Sequence, residues 1–295
     1  MQPADFLSAV FFYLKVCENL NQNWIVENLN NAFSTWNGKL GELWGLVTTG
    51  PQTFKGGAVW SVMQTLHNGM VGIGYALVVL FFAISLCKNT MNFHELKRPE
   101  AAIHYLIRFV AAKALVGYGM DIMLNVFSIC NGIVTDMADS MGGISEAMVS
   151  LPAEMQTAIE NVGFLASIPL WLVTILGSLF ITVLSFVMIL TVYGRFFRLY
   201  MYTALAPLPL AAFAGESTLS VGISFLKSYV GVCLEGAVIV LACVIYSAFV
   251  STPTVASGEA TTIVWSYLAE TVFNMLVLVG LIKGSDRIIH EMMGL

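Results

Sequence analysis

An all-α protein that crosses a membrane several times is the fold class this sequence predicts, and three observations predict it. Apolar residues make up 58% of the 295 residues and charged residues only 11%, against roughly 25% charged in an ordinary soluble domain; the mean hydropathy is +0.81. The apolar residues are gathered in runs long enough for a membrane helix, which needs roughly 20 residues. The polar intervals between them are too short to fold as domains of their own. The expected architecture is about five transmembrane helices, a proline-broken re-entrant segment and an N-terminal amphipathic helix. Residues 1–61 form an interfacial helical region in this reading, and residues 62–295 the transmembrane domain.

Near the N-terminus, Asp5, Ser8, Lys15 and Glu18 recur at near-helical spacing while Phe6, Leu7, Val10, Phe11, Leu14 and Cys17 fill the rest of the circumference. That describes an amphipathic helix too short to span, expected in the interface or against the bundle. No Lys or Arg precedes this stretch and no small-residue cleavage site follows it, unlike a signal peptide. Residues 19–60 are rich in Asn and Gly and carry Trp24, Trp36, Trp44 and Trp60. Indole rings favour the headgroup level, so short helices at the membrane surface are expected there.

The first span is expected over Val62–Cys87, where Gly69, Gly72 and Gly74 offer another backbone a close approach. Lys88, Lys97 and Arg98 follow it, which places the next loop in the cytoplasm by the positive-inside bias. A second span starts near Ala101 and contains Arg108 and Lys113; its far end leads to an interval without Lys or Arg, assigned outside. The third span, Val162–Tyr193, ends on Arg195 and Arg198 and returns the chain to the cytoplasm. Pro207 and Pro209 then interrupt an apolar run, because proline lacks an N–H and its ring clashes with the preceding turn. Residues 199–214 are read as dipping in and returning, which keeps Glu216 and Lys227 on the cytoplasmic side. Spans over Leu226–Val250 and Ile263–Ile282 complete the set, with Lys283 and Arg287 closing the last. The N-terminus is thus expected outside and the C-terminus inside.

Two intramembrane charges lie at comparable depth, Lys113 about 18 Å from its cytoplasmic end and Glu235 about 12 Å beyond Lys227. Opposite charges in hydrocarbon are expected to pair, so Lys113 and Glu235 are predicted to meet inside the bundle or across a subunit boundary. Arg195 and Arg198, three residues apart, share a helical face and suit either anionic lipid headgroups or a cytoplasmic docking edge bounded by Pro207, Pro209 and Glu216.

Enzyme signatures are lacking. His94-Glu95-Leu96-Lys97-Arg98 begins like a zinc-protease motif but carries Arg98 where the second histidine belongs. There is no GxSxG elbow and no phosphate-binding glycine loop. The cysteines show no CxxC spacing, and His67, His94, His104 and His290 are scattered, so no catalytic residue, cofactor or metal is expected. A small-solute transporter or channel using Lys113 and Glu235 is the alternative reading. The lack of paired inverted halves weighs against it.

Three stretches, GRFFRLYMYTALAPLPLAAFAGE, FHELKRPEAAIHYLIRFVAAKALV and GVCLEGAVIVLACVIY, resemble TrbL-like conjugal transfer proteins, over roughly residues 62–290. These are polytopic inner-membrane subunits of bacterial type IV secretion and conjugation machines. The resemblance implies a non-enzymatic channel or scaffold subunit in the bacterial cytoplasmic membrane. It would assemble as a homo-oligomeric ring in membrane lipid, contacted by a secretion ATPase and a bitopic assembly subunit. Its implied cargo is single-stranded DNA attached to a relaxase, or effector proteins.

Overall fold

The computed structural model describes residues 3–90, 99–140, 148–160, 162, 164–250 and 260–294. Lys97, Arg98, His94, Glu146 and residues 251–259, the last expected as part of an outer loop, lie outside the described residues. Nine α-helices are found among the described residues: α1 (Pro3–Thr48), α2 (Ala58–Thr90), α3 (Pro99–Gly117), α4 (Gly119–Ser140), α5 (Ala153–Glu160), α6 (Phe164–Leu205), α7 (Pro207–Ala211), α8 (Leu219–Val250) and α9 (Ala260–Met293). Short 3₁₀ turns, Phe54–Gly57 and Ala212–Ala214, precede α2 and follow α7. Four of these helices are long and apolar enough to cross a membrane, and five spans result if α3 and α4 count as one. The protein is an all-α polytopic membrane protein.

Three elements differ from the sequence-based expectation. Residues 19–48 are not a set of short surface helices but part of the continuous 46-residue α1. Its buried stripe of Ile25, Leu29, Phe33, Trp36, Leu40, Leu43 and Val47 recurs at helical spacing. Trp36, expected at a headgroup surface, is fully buried. The second span is not one straight helix: α3 and α4 meet at a 73° bend, located at Gly117-Tyr118-Gly119. Two glycines around one residue remove the side chains that would resist such a kink. The third span runs on past the arginines, so residues 199–205 prolong α6 rather than opening an element of their own.

The chain divides into two compact units, each discontinuous in sequence. One comprises Met1–Gly45, Met141–Thr191 and Leu241–Lys283. Within it Asn37 makes two hydrogen bonds to the Val149 backbone, donating from Nδ2 to its carbonyl at 2.8 Å and accepting its N–H at 2.9 Å. Trp24 packs on Trp171 and Trp36 on Tyr246.

The other unit comprises Leu46–Ser140, Val192–Val240 and Gly284–Leu295. Its core gathers Val78, Ala112, Val116, Met123, Phe127, Leu199, Leu210, Tyr229 and Cys233. At its centre α7 lies against α2 and α3, with Ala206, Leu210 and Ala211 fully buried. Pro207 stands at the first position of α7, whose N–H would have no partner within α7 itself.

Gly74 makes this packing possible. A Cβ there would stand 2.9 Å from the Pro207 carbonyl oxygen and 2.9 Å from the Val116 side chain, whereas Gly69 and Gly72 face open space. Of the three glycines, only Gly74 therefore serves the close backbone approach that the sequence suggested. Gly74→Ala is expected to lower stability by about 1–3 kcal/mol through overpacking. Gly72→Ala should instead be neutral or raise stability by up to about 1 kcal/mol, as Ala favours the helix. Thermal unfolding of the two variants side by side in one detergent checks this, and equal midpoints would remove Gly74 from the account.

Candidate functional site

Polar groups inside the second unit converge on α6. The side chain of Arg195 is fully buried. Its guanidinium donates from Nε to the Val232 carbonyl at 3.3 Å, from Nη2 to the Cys233 carbonyl at 3.1 Å and from Nη1 to the Val47 carbonyl at 3.4 Å. The Val47 carbonyl belongs to the last turn of α1, and its usual helical donor four residues on would be Pro51, which has no N–H. Arg195 supplies the missing donor and puts a cation at the negative end of the helix dipole. On α8 the approach is open because residue 236 is glycine: a Cβ at Gly236 would come within 2.8–2.9 Å of the guanidinium.

One turn further, Arg198 grips Glu235 with both carboxylate oxygens 2.7 Å from Nη2. Its Nη1 pairs with Asp286 of α9. Ser285 donates to Glu235 Oε1 at 3.0 Å, and Glu235 is 1% exposed. The carboxylate is thus compensated by a cation and a hydroxyl, as a buried charge requires. The network ties α6, α8 and α9 together within this unit.

A second proline orphan is treated in the same way. Thr203 would receive its helical hydrogen bond from residue 207, which is again proline. Buried His67 of α2 fills the gap, with Nδ1 2.7 Å from the Thr203 carbonyl oxygen. A carbonyl only accepts, so Nδ1 carries the proton. Tyr200 donates to the Pro51 carbonyl at 2.8 Å, and Phe54 stacks on Phe196 at 4.1 Å.

The pair expected between Lys113 and Glu235 is not formed within the chain. Glu235 is engaged by Arg198 and Ser285, while Lys113 is exposed on α3 and has no ion pair among the described residues. Depth alone suggested the match; helix adjacency decides it. Arg195, expected at a lipid or docking edge, is buried in backbone carbonyls, and Arg198 is occupied by two carboxylates. Of that predicted edge, Pro207 is buried, Pro209 is half-buried and Glu216 is exposed, its N–H 3.5 Å from Ser85 Oγ. Ser285 and Asp286 escaped sequence reasoning altogether. The signal was a polar pair directly between Lys283 and Arg287, cations that read only as topology markers.

The arrangement holds helices in register; no cluster of His, Cys, Asp or Glu suited to a metal occurs among the described residues. Compared with known families, residues 36–207, more than half of the chain, match the family described as TrbL/VirB6 plasmid conjugal transfer like protein. The chain belongs to this TrbL/VirB6 family. No curated protein and no solved structure matches it. The stretch shared with the TrbL/VirB6 family runs from Trp36 to Pro207 and so contains Val47, His67, Gly74, Arg195 and Arg198. It stops before Glu235, Ser285 and Asp286.

Proposed function

We propose that this protein is a structural, non-catalytic subunit of a conjugative type IV secretion machine, embedded in the bacterial cytoplasmic membrane with its N-terminus outside and its C-terminus inside. It forms a ring with copies of itself. A secretion ATPase supplies the energy, a bitopic assembly subunit contacts the ring, and the cargo is single-stranded DNA with its relaxase, or effector protein. The observation that carries this reading is the family match over residues 36–207. A buried network of Arg195, Arg198, Glu235 and Ser285 supports it, since those groups are consumed in holding helices rather than left open to bind a solute.

Deletion of the gene is expected to abolish transfer of the element that carries it, with recovery from a copy supplied in trans and unchanged solute uptake. Solute transport by the purified chain in proteoliposomes, or transfer that survives deletion, would overturn the reading. Orientation is tested at an exposed position: Glu216→Cys should react with an impermeant maleimide only after the cytoplasmic side is opened. Labelling from the outside alone reverses the proposed topology.

A further inference from the structure

Two thiols distant in sequence meet in the core of the second unit. Cys130 of α4 and Cys233 of α8 both belong to that core, and their side chains hydrogen-bond to each other. Neither is in a disulfide. The same two helices are fastened nearby, where the Tyr229 hydroxyl donates to the Met123 carbonyl at 2.8 Å. Tyr229 stands one turn before Cys233, and Met123 two turns before Cys130. The bond and the thiol pair therefore hold α4 and α8 along one seam.

The surroundings of the pair go beyond what packing requires. An isolated buried thiol behaves as a small apolar residue. Here the buried Arg195 guanidinium donates to the Cys233 carbonyl at 3.1 Å, and its charge acts on both sulfurs. A neighbouring cation favours the thiolate, the form of cysteine that attacks an oxidant. The two positions also differ in access: Cys233 is fully buried, whereas Cys130 keeps 5% of its surface exposed. One thiol at the edge with a second in contact behind it is the arrangement that turns a first oxidation product into a disulfide.

We propose that Cys130 and Cys233 form an oxidisable dithiol, which a hydroperoxide converts to a disulfide joining α4 to α8. Cys130 gives its proton to solvent and its sulfur attacks an oxygen of hydrogen peroxide. The S–O bond forms as the O–O bond breaks, and the departing hydroxide is protonated to water. The Cys233 sulfur then attacks the Cys130 sulfur. The S–S bond forms, the S–O bond breaks, and the second hydroxide takes up the Cys233 proton. Two sulfurs are oxidised, the peroxide is reduced by two electrons, and two waters result. Hydrogen peroxide is small and uncharged, which suits a thiol with so little exposed surface. Oxidation replaces a hydrogen bond by a covalent tie on α4, the helix that follows the 73° bend. This modification site is independent of the proposed role in transfer and needs no transfer assay.

The experiment treats the full, unaltered chain in detergent with hydrogen peroxide, blocks remaining thiols with N-ethylmaleimide in denaturant and maps linked peptides by mass spectrometry. With five cysteines, random pairing would give Cys130–Cys233 about a tenth of the intramolecular links. In the folded protein that link is expected to account for nearly all of them, about tenfold above the random share, and to vanish on treatment with dithiothreitol. Protein unfolded before oxidation should return to the random share. In Cys233→Ala the resolving thiol is gone, so Cys130 should stop at the sulfenic acid and be captured by dimedone. In Cys130→Ala, Cys233 should remain a thiol. The linkage measurement uses no variant and so decides the matter even if either variant fails to fold. Cys130 and Cys233 both left reduced, by peroxide sufficient to oxidise the exposed Cys87, overturns the proposal. A Cys130–Cys233 share no greater in folded than in unfolded protein overturns it as well, as does Cys130 carried on to the sulfinic acid beside a reduced Cys233.

Discussion

Arg198→Leu is expected to destabilise the detergent-solubilised protein by about 3–5 kcal/mol, because it strands the carboxylate of Glu235 with one hydroxyl donor in a buried site. The reverse truncation, Glu235→Leu, should cost less. Arg198 is 28% exposed in the side chain and keeps Asp286 as a partner. The double change to leucine removes both charges together, and replacement of a buried pair by apolar groups is often nearly neutral. Most of the loss from Arg198→Leu should therefore be regained in the double variant. Thermal unfolding of the four proteins gives the coupling directly. If the two single costs simply add, the pair is not the unit that holds α6 and α8, and the network loses its central claim.

Composition and hydropathy made the all-α membrane fold legible, because a run of some 20 apolar residues has few other destinations. The last two spans were found in place but read short: α8 begins about two turns before Leu226 and ends at Val250 as expected, and α9 begins about one turn before Ile263 and runs about three turns past Ile282. The proline-broken link was also foreseen in position. Its start was misjudged, since Pro207 forbids a helical donor only at its own position and leaves residues 199–205 free to continue α6. The bend at Tyr118 was hidden by its cause. Glycines are frequent in membrane helices for packing reasons, so Gly117 and Gly119 did not read as a break.

Which charge meets which was not legible at all. Lys113 and Glu235 have matching depth, but depth is one coordinate of three. The contact between α6 and α8 comes from small and apolar surfaces such as Gly236, Val232 and Cys233, which carry no charge signal in the sequence. One rule would have done better. Pro51 and Pro207 each remove the donor for a carbonyl four residues earlier, and in a dry interior that carbonyl must be met by a side chain. The search for those donors leads to Arg195 and His67, the first of which charge bias alone had placed at the surface.

That rule makes the second large prediction. Arg195→Lys keeps the charge but is expected to cost about 2–4 kcal/mol, the loss of one or two hydrogen bonds from a buried charged group. Three carbonyls from two helices are reached by a planar fork with donors fixed in direction; a lysine ammonium on a flexible stem cannot meet all three. The Val47 carbonyl, bonded over the longest distance and lacking a backbone donor, is the one to be abandoned. Amide hydrogen exchange across residues 44–50 should accordingly rise in Arg195→Lys, as the last turn of α1 frays, while exchange in the middle of α8 changes less, because Val232 and Cys233 retain their helical donors. Gly236→Ala should reproduce the effect in part, since its Cβ occupies the space of the guanidinium and displaces it from the same carbonyls. A lysine variant as stable as the parent, with unchanged exchange at the end of α1, would show that charge alone suffices at this position and that the proline orphan is met by another group.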